Sequence, residues 1–212
     1  MEGDPGRAIA HVIFDWGGVF SRRPPAATAR SLERRLGLER GTLGGFFKEE
    51  AWVEVSTGRI PEDEFWSRVC AQFPNPPDDQ LSERIWRHFF QHGLVRRGVI
   101  AIVEELRATG TGVSLLSNAA PSLRPLLAPL LHLFDDVVIS AEVGTRKPEP
   151  EIYRLAIQRL GLPPENVLFI DDFTHNVAAA REAGLRAHRF LGPARLRRVL
   201  RGHGLLASEA AA

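Results

Sequence analysis

Six residues have the types and spacing to share a reaction centre: Asp15, Ser117, Asn118, Lys147, Asp171 and Asp172. Each follows an apolar run or a turn signal. Asp15 closes HVIF, Ser117-Asn118 closes VSLL, Asp171-Asp172 closes VLFI, and Lys147 stands before Pro148 at a helix start. If the runs are neighbouring parallel strands, all six collect at one edge of a sheet. Two adjacent aspartates beside a third repel strongly, since unit charges 4 Å apart interact by about 4 kcal/mol at an effective dielectric of 20. Such a group needs a cation. Carboxylate oxygens with no Cys or His pair nearby suit magnesium, which keeps several waters and takes one or two protein carboxylates plus substrate phosphate.

The elements that must position these residues follow from the pattern. HVIFDWGGVF begins as a buried strand and turns at a Gly-Gly pair. From residue 95 the chain alternates. VIAIVEELRA is a helix, GVSLLSN a strand, SLRPLLAPLLHL a helix and DVVIS a strand; EIYRLAIQRLGL is a helix, NVLFIDD a strand, HNVAAAREAGL a helix and RAHRF a strand. Such alternation predicts an α/β, doubly wound (Rossmann-like) parallel sheet. Residues 23–94 are instead helical throughout, through SLERRLGL, GFFKEEAWVEV, EDEFWSRVCAQF and LSERIWRHFFQH. The expected organisation is a core domain of residues 1–22 and 95–212, interrupted by an inserted α-helical bundle cap of residues 23–94. Ligands of such sheets bind at the carboxyl ends of the strands, so an insertion leaving the first of them hangs over the site as a candidate lid.

VIFDWGGVF, LLSN, GTRKPEPEIY and VLFIDDFTHNVAAAREAGL resemble, in order and spacing, the four motifs of the haloacid dehalogenase (HAD) superfamily of hydrolases. The resemblance spans residues 10 to 190, and STGRIPEDEFW is similar to a recurrent stretch of that family's small helical cap. It implies an Mg2+-dependent phosphatase. Asp15 would be the nucleophile that becomes transiently phosphorylated, and the Gly17 carbonyl would complete the metal shell. Asp172 would ligate the metal directly and Asp171 through a water. Ser117, the Asn118 amide and Gly18 would hold phosphate, and Lys147 would offset charge on Asp15 and the phosphoryl group. These roles suit phosphoryl transfer, which is mostly positioning and electrostatic stabilisation.

The sequence departs from the family at Gly17, where most such phosphatases carry a second aspartate that protonates the leaving group and activates water. Glycine can do neither. The term at stake is about two to four orders of magnitude in rate. Two other readings stand beside the phosphatase. One is a 2-haloacid dehalogenase, in which the same aspartate attacks carbon without metal. The other is a phosphate-binding module that hardly turns over.

Composition narrows the partners. Lysine and arginine total 27 against 26 acidic residues, a net charge of +1, which gives no field favouring nucleic acid or an acidic membrane. A small phosphorylated metabolite is expected, bound by a monomer or homodimer. No apolar run reaches the roughly 20 residues of a membrane helix, and the start MEGDPGRA lacks a signal-peptide core. The protein is expected to be cytoplasmic, with Cys70 a buried structural thiol. Nine of the seventeen aromatics fall in residues 23–94, including Phe46, Phe47, Trp52, Phe65, Trp66, Phe73, Trp86, Phe89 and Phe90. Most are expected to fill the bundle's own core, with Phe46 and Phe47 the best placed to line a pocket. Asn176 reads equally as a helix start or as a residue orienting the metal loop, and His175 as a solvent-facing neighbour. Trp16 is expected to pack, and RLRRVLRGHG to lay an apolar face on the sheet.

Overall fold

The computed structural model describes residues 9–22, 30–31, 33–34, 37–72 and 95–207. Its centre is β1 (His11–Phe14), flanked by β2 (Gly112–Ser117) and β4 (Val167–Asp171), with β3 (Asp136–Ile139) and β5 (Arg186–Arg189) outside them. The order is β3-β2-β1-β4-β5 and every pairing is parallel. A central parallel strand is covered on both faces, which explains why β1 is an unbroken buried run. Its side chains alternate between two cores. Val12 and Phe14 pack with α4 (Arg97–Ala108) and α9 (Pro193–Gly202), whereas Ile13 packs with α7 (Pro150–Leu160) and α8 (Thr174–Glu182).

The doubly wound expectation holds, with local differences. SLRPLLAPLLHL is a one-turn α5 (Leu123–Leu126) followed by a 3-10 segment, Ala128–Leu133. Pro125 and Pro129 lack the N–H groups that a continuous helix would use, so the stretch divides. A short α6 (Ser140–Val143) directly follows β3. In α9, Leu196 and Leu200 turn inward and the arginines outward, as the tail pattern required.

The inserted region supplies α1 (Thr42–Gly45), a 3-10 turn at Phe46–Lys48, α2 (Glu50–Ser56) and α3 (Glu62–Cys70). GFFKEEAWVEV is not one helix, because Glu49 is extended (φ −75°, ψ 159°) and separates the turn from α2. Phe46, Trp52, Phe65 and Trp66 join Leu43, Val55 and Val69 in a separate apolar cluster. Cys70 is half-buried at its border, rather than fully buried. Phe73, Trp86, Phe89, Phe90 and the LSERIWRHFFQH segment lie outside the described residues, as does the side chain of Phe47.

The insertion leaves and rejoins the core at one place, since Ser21 bridges Val95 antiparallel and the Arg96 N–H donates to the Phe20 carbonyl at 2.7 Å. Its helices also touch the core directly. Ala120, three residues beyond Ser117, belongs to their apolar cluster. Glu62 accepts from the Ser122 amide at 3.0 Å and from its hydroxyl at 2.7 Å. Gly58 (φ +68°) runs so close to the Ala141 carbonyl that a Cβ would collide with it.

Candidate active site

Parallel register brings the strand ends level. Phe14 pairs with Leu115 on one side and Ile170 on the other, so Asp15, just past β1, comes level with the carboxyl ends of β2 and β4 at Ser117 and Asp171. The Asp15 amide still donates to the Ile170 carbonyl at 2.9 Å, which holds the aspartate against β4. One oxygen from each of Asp15, Asp171 and Asp172 falls within 4.8 Å of the others. Into this group comes Lys147. Its ammonium donates to Asp15 Oδ1 at 2.7 Å, to Asp171 Oδ2 at 2.7 Å and to the Leu116 carbonyl at 2.9 Å, and it lies 5.4 Å from the centre of the Phe169 ring. Both ends of the Asp15–Lys147 pair are buried.

The electrostatics follow from burial and count. Desolvation raises the Asp15 carboxyl to about 7; Lys147 opposes this and the charges of Asp171 and Asp172 reinforce it. Burial would lower the Lys147 ammonium, but Asp15 and Asp171 outweigh it and hold the group above its usual value. Two of the three carboxylates share one lysine, and the third, Asp172, lies beside them. A divalent cation would supply the missing charge, and the donors are all hard oxygens of the kind magnesium takes.

The two adjacent aspartates differ. Asp171 is fully buried and accepts three hydrogen bonds, from Lys147, from Asn176 Nδ2 at 3.0 Å and from the Phe173 amide at 2.8 Å. Asp172 is half-buried and lies against Gly18, where a Cβ would run into its carboxylate. Gly18 also has φ +83°, so both backbone and space call for glycine there. Gly17 is another matter. It lies outside the left-handed region, and a Cβ added to it would meet only Asp15 Oδ2, at 3.9 Å.

Ser117 ends β2, buried, beside this group. The Asn118 side chain turns to Lys147 instead. Its Nδ2 donates to the Lys147 carbonyl and its Oδ1 accepts from the Lys147 amide, both at 2.8 Å, so the amide fixes the lysine's backbone. Sequence reasoning missed this, and it missed Tyr153. That buried phenol donates to the Asn176 carbonyl at 2.9 Å and packs edge-on to Phe169. Asn176 thus holds the Asp171 carboxylate through its side chain and takes the Tyr153 hydroxyl through its carbonyl, while the helix itself begins at Thr174. His175 is exposed beside Phe173, and Trp16 packs on Phe20 with ring centres 5.7 Å apart.

Residues 9–184 match the family described as haloacid dehalogenase-like hydrolase. The chain belongs to that family. As a haloacid dehalogenase-like hydrolase it is 31% identical over 198 residues to "Phosphatase MT3486" of Mycobacterium tuberculosis, covering 85% of this chain and 87% of the relative. It is 38% identical over 185 residues to "Phosphoserine phosphatase" of Thermus thermophilus, covering 80% and 74%. Among solved structures, a HAD family enzyme from Bacteroides thetaiotaomicron, an Asp-to-Ala variant in complex with magnesium and inorganic phosphate, superposes with TM-score 0.71 at 21% identity, over 85% of this chain and 93% of that one. L-2-haloacid dehalogenase from Xanthobacter autotrophicus superposes with TM-score 0.66 at 24% identity, over 94% and 85%. The haloacid dehalogenase-like fold is thus common to both chemistries, and the residues at the strand ends have to separate them. Among the described residues, no helix of this hydrolase is long and apolar enough to cross a membrane.

Proposed function

We propose that this hydrolase is a magnesium-dependent cytoplasmic phosphatase that hydrolyses a small phosphorylated metabolite through a phosphoaspartate on Asp15. The observation that carries this reading is the grouping of Asp15, Asp171 and Asp172, the first two of them paired with one buried lysine. A dehalogenase that needs no metal would have no use for two further carboxylates beside its anionic nucleophile. The names of the two curated relatives and the magnesium and phosphate bound by the Bacteroides enzyme support the same reading.

Magnesium would be held by Asp15, Asp172 and the Gly17 carbonyl, with Asp171 behind them, and when bound it would offset phosphate charge and leave Asp15 ionised. The chain's own residues do the rest. An Asp15 oxygen attacks phosphorus, the phosphorus–oxygen ester bond breaks, and the leaving oxygen departs with the bonding electrons and takes a proton from water to give the alcohol. Water then attacks the phosphoaspartate, releasing phosphate and restoring the carboxylate. Lys147, anchored by Asn118 and Leu116, stabilises the charge gathering between Asp15 and the phosphoryl oxygens, and Ser117 with the Asn118 amide and Gly18 would hold those oxygens. The helical insertion would act as the cap that excludes water.

Hydrolysis of p-nitrophenyl phosphate with magnesium, with excess chelator, and by Asp15→Asn tests this. Turnover should need the metal and should vanish in the variant, because an amide is nearly isosteric but cannot form the intermediate. Activity undiminished by chelator overturns the metal assignment. Metal-independent dechlorination of 2-chloropropionate establishes the dehalogenase instead.

A further inference from the structure

A cavity of about 280 Å³ opens beside the carboxylate group, on the β5 side, lined by Gly18, Arg96, Asp172, Arg189, Phe190, Leu191 and Gly192. Two of the seven are arginines. Several arginines elsewhere meet acids: Arg107 pairs with Asp135, Arg124 with Glu142 and Arg197 with Glu105. Arg96 and Arg189 have no ion pair among the described residues. Their hydrogen bonds go to backbone carbonyls of the site loops, Arg96 Nη2 to Gly18 at 3.4 Å and Arg189 Nε to Asp172 at 3.0 Å. Arg96 is half-buried, lies over the Phe190 ring at 5.5 Å, and its Nε is buried without a hydrogen-bond partner. Burial holds the Arg96 guanidinium below its usual value, Arg22 adds like charge, and Asp172 opposes both. Asp172 is the one acid lining the cavity, so positive charge exceeds negative there.

Lining one cleft with arginines, one of them partly desolvated, is unfavourable unless an anion completes the arrangement. The guanidinium fork is the donor best matched to carboxylate and phosphate oxygens. We infer that the Arg96–Arg189 cavity receives a second anionic group of the substrate, so that the preferred substrates are phosphate monoesters carrying a further carboxylate or phosphoryl group a short spacer away. This rests on the phosphatase reading for which group is cleaved, while the cleft itself is independent of it. Phe190 and Leu191 would cover the spacer.

A matched three-carbon series tests it: propyl phosphate, the phosphate ester of 3-hydroxypropionate, and 1,3-propanediol bisphosphate. The wild-type kcat/KM should favour the two esters that carry a second anionic group, and the better of them tells which oxyanion the cleft takes. Arg96→Gln and Arg189→Gln should each lower kcat/KM for those esters roughly tenfold to hundredfold, mainly through KM, as expected for loss of a charge-assisted hydrogen bond. Propyl phosphate should hardly change. Arg189→Lys should recover only part of the loss. No preference in the wild type, or an equal fall on all three esters, overturns the inference and leaves the arginines as braces of the loops. Calorimetric titration of the Asp15→Asn protein with the same esters reads the cleft without turnover. A charge preference there that disappears in the arginine variants upholds the cleft even if no ester is hydrolysed, and its absence overturns the cleft even if propyl phosphate is hydrolysed well.

Discussion

β1 and the residue after it carry a buried ionisable group at each end, and the two are treated in opposite ways. At the amino end, His11 donates to or accepts from the Ser114 hydroxyl at 2.7 Å, beside a Gly112 where a Cβ would run into the imidazole. Burial lowers its pKa, so it packs as a neutral group with one satisfied partner. At the carboxyl end, Asp15 is surrounded by charge: a lysine, two aspartates, and burial that raises its own pKa to about 7. One end of the strand is settled, whereas the other stores electrostatic frustration that a substrate and a cation can relieve. Burial alone therefore does not mark a functional group, but burial of unbalanced like charges does.

The largest expected effect comes from removing the balance at the carboxyl end. Lys147→Met keeps the volume of the stem and leaves Asp15 and Asp171 buried without their cation, a change of the kind that costs about 3–5 kcal/mol. Urea unfolding in chelator should show a loss of that order, and magnesium should restore part of it. Turnover should fall by roughly 10²–10³-fold or more, since a preorganised donor to developing charge is gone. A variant as stable as the wild type in chelator would mean that the carboxylates do not depend on this lysine, and the contrast between the two ends of β1 would fail.

Gly17→Asp adds charge to the same end. Because the position has room and lies outside the left-handed region, the backbone reason for glycine that applies at Gly18 does not apply here. The new carboxyl should speed hydrolysis of alkyl phosphates, which are poor leaving groups, by about 10²-fold or more through general acid–base catalysis. It should also lower the melting temperature in chelator by adding a fourth acid. In the wild type, rates should depend steeply on leaving-group pKa and a burst of phenol should precede the steady state. A flat dependence without a burst would show that another side chain already acts as acid and base.

The strand ends were legible in the sequence because a polar residue closing an apolar run is a local signal, and Asp15, Ser117 and Asp171 each give it. Lys147 and Asp172 were visible as candidates too, but their roles came with the motif resemblance; the structure brings Lys147 onto Asp15 and Asp171 and sets Asp172 with them. Asn118 was placed correctly in the chain but its side-chain role was not visible, since its bonds reach across 29 residues to the backbone of Lys147. Tyr153 reads as one more apolar position of an amphipathic helix, and only the tertiary packing turns its hydroxyl to Asn176. The two glycines after Asp15 look alike as letters. Their dihedral angles and neighbours separate them, and these are properties of the folded loop. Arg96 and Arg189 lie far apart in the chain and line one cavity only because β5 ends beside the point where the insertion returns.

The smallest expected effect is on pH dependence, and there the two ends of β1 work with opposite sign. His11 titrates near 6.5 in the unfolded chain and lower in the folded protein, so as pH falls below about 6.5 the unfolded chain takes up the proton first and stability is lost. The His188–His203 pair, whose ring nitrogens lie 3.2 Å apart and whose pKa values are also lowered by burial, adds to that slope. Asp15 does the reverse in metal-free protein. With its folded pKa raised to about 7 from 3.8, the folded state holds the extra proton between these values, and its stabilising contribution is lost as pH rises toward 7. The wild type in chelator should therefore show a shallow dependence of melting temperature on pH between 5 and 7, two opposed slopes partly cancelling. Asp15→Asn removes one of them and should unmask a distinct fall toward pH 5. Adding His11→Gln, which keeps a polar partner for Ser114, should reduce that fall, with the remainder belonging to His188 and His203. If Asp15→Asn leaves the pH profile unchanged, Asp15 is ionised throughout this range even without metal, and the frustration ascribed to the carboxyl end is already relieved by Lys147 alone.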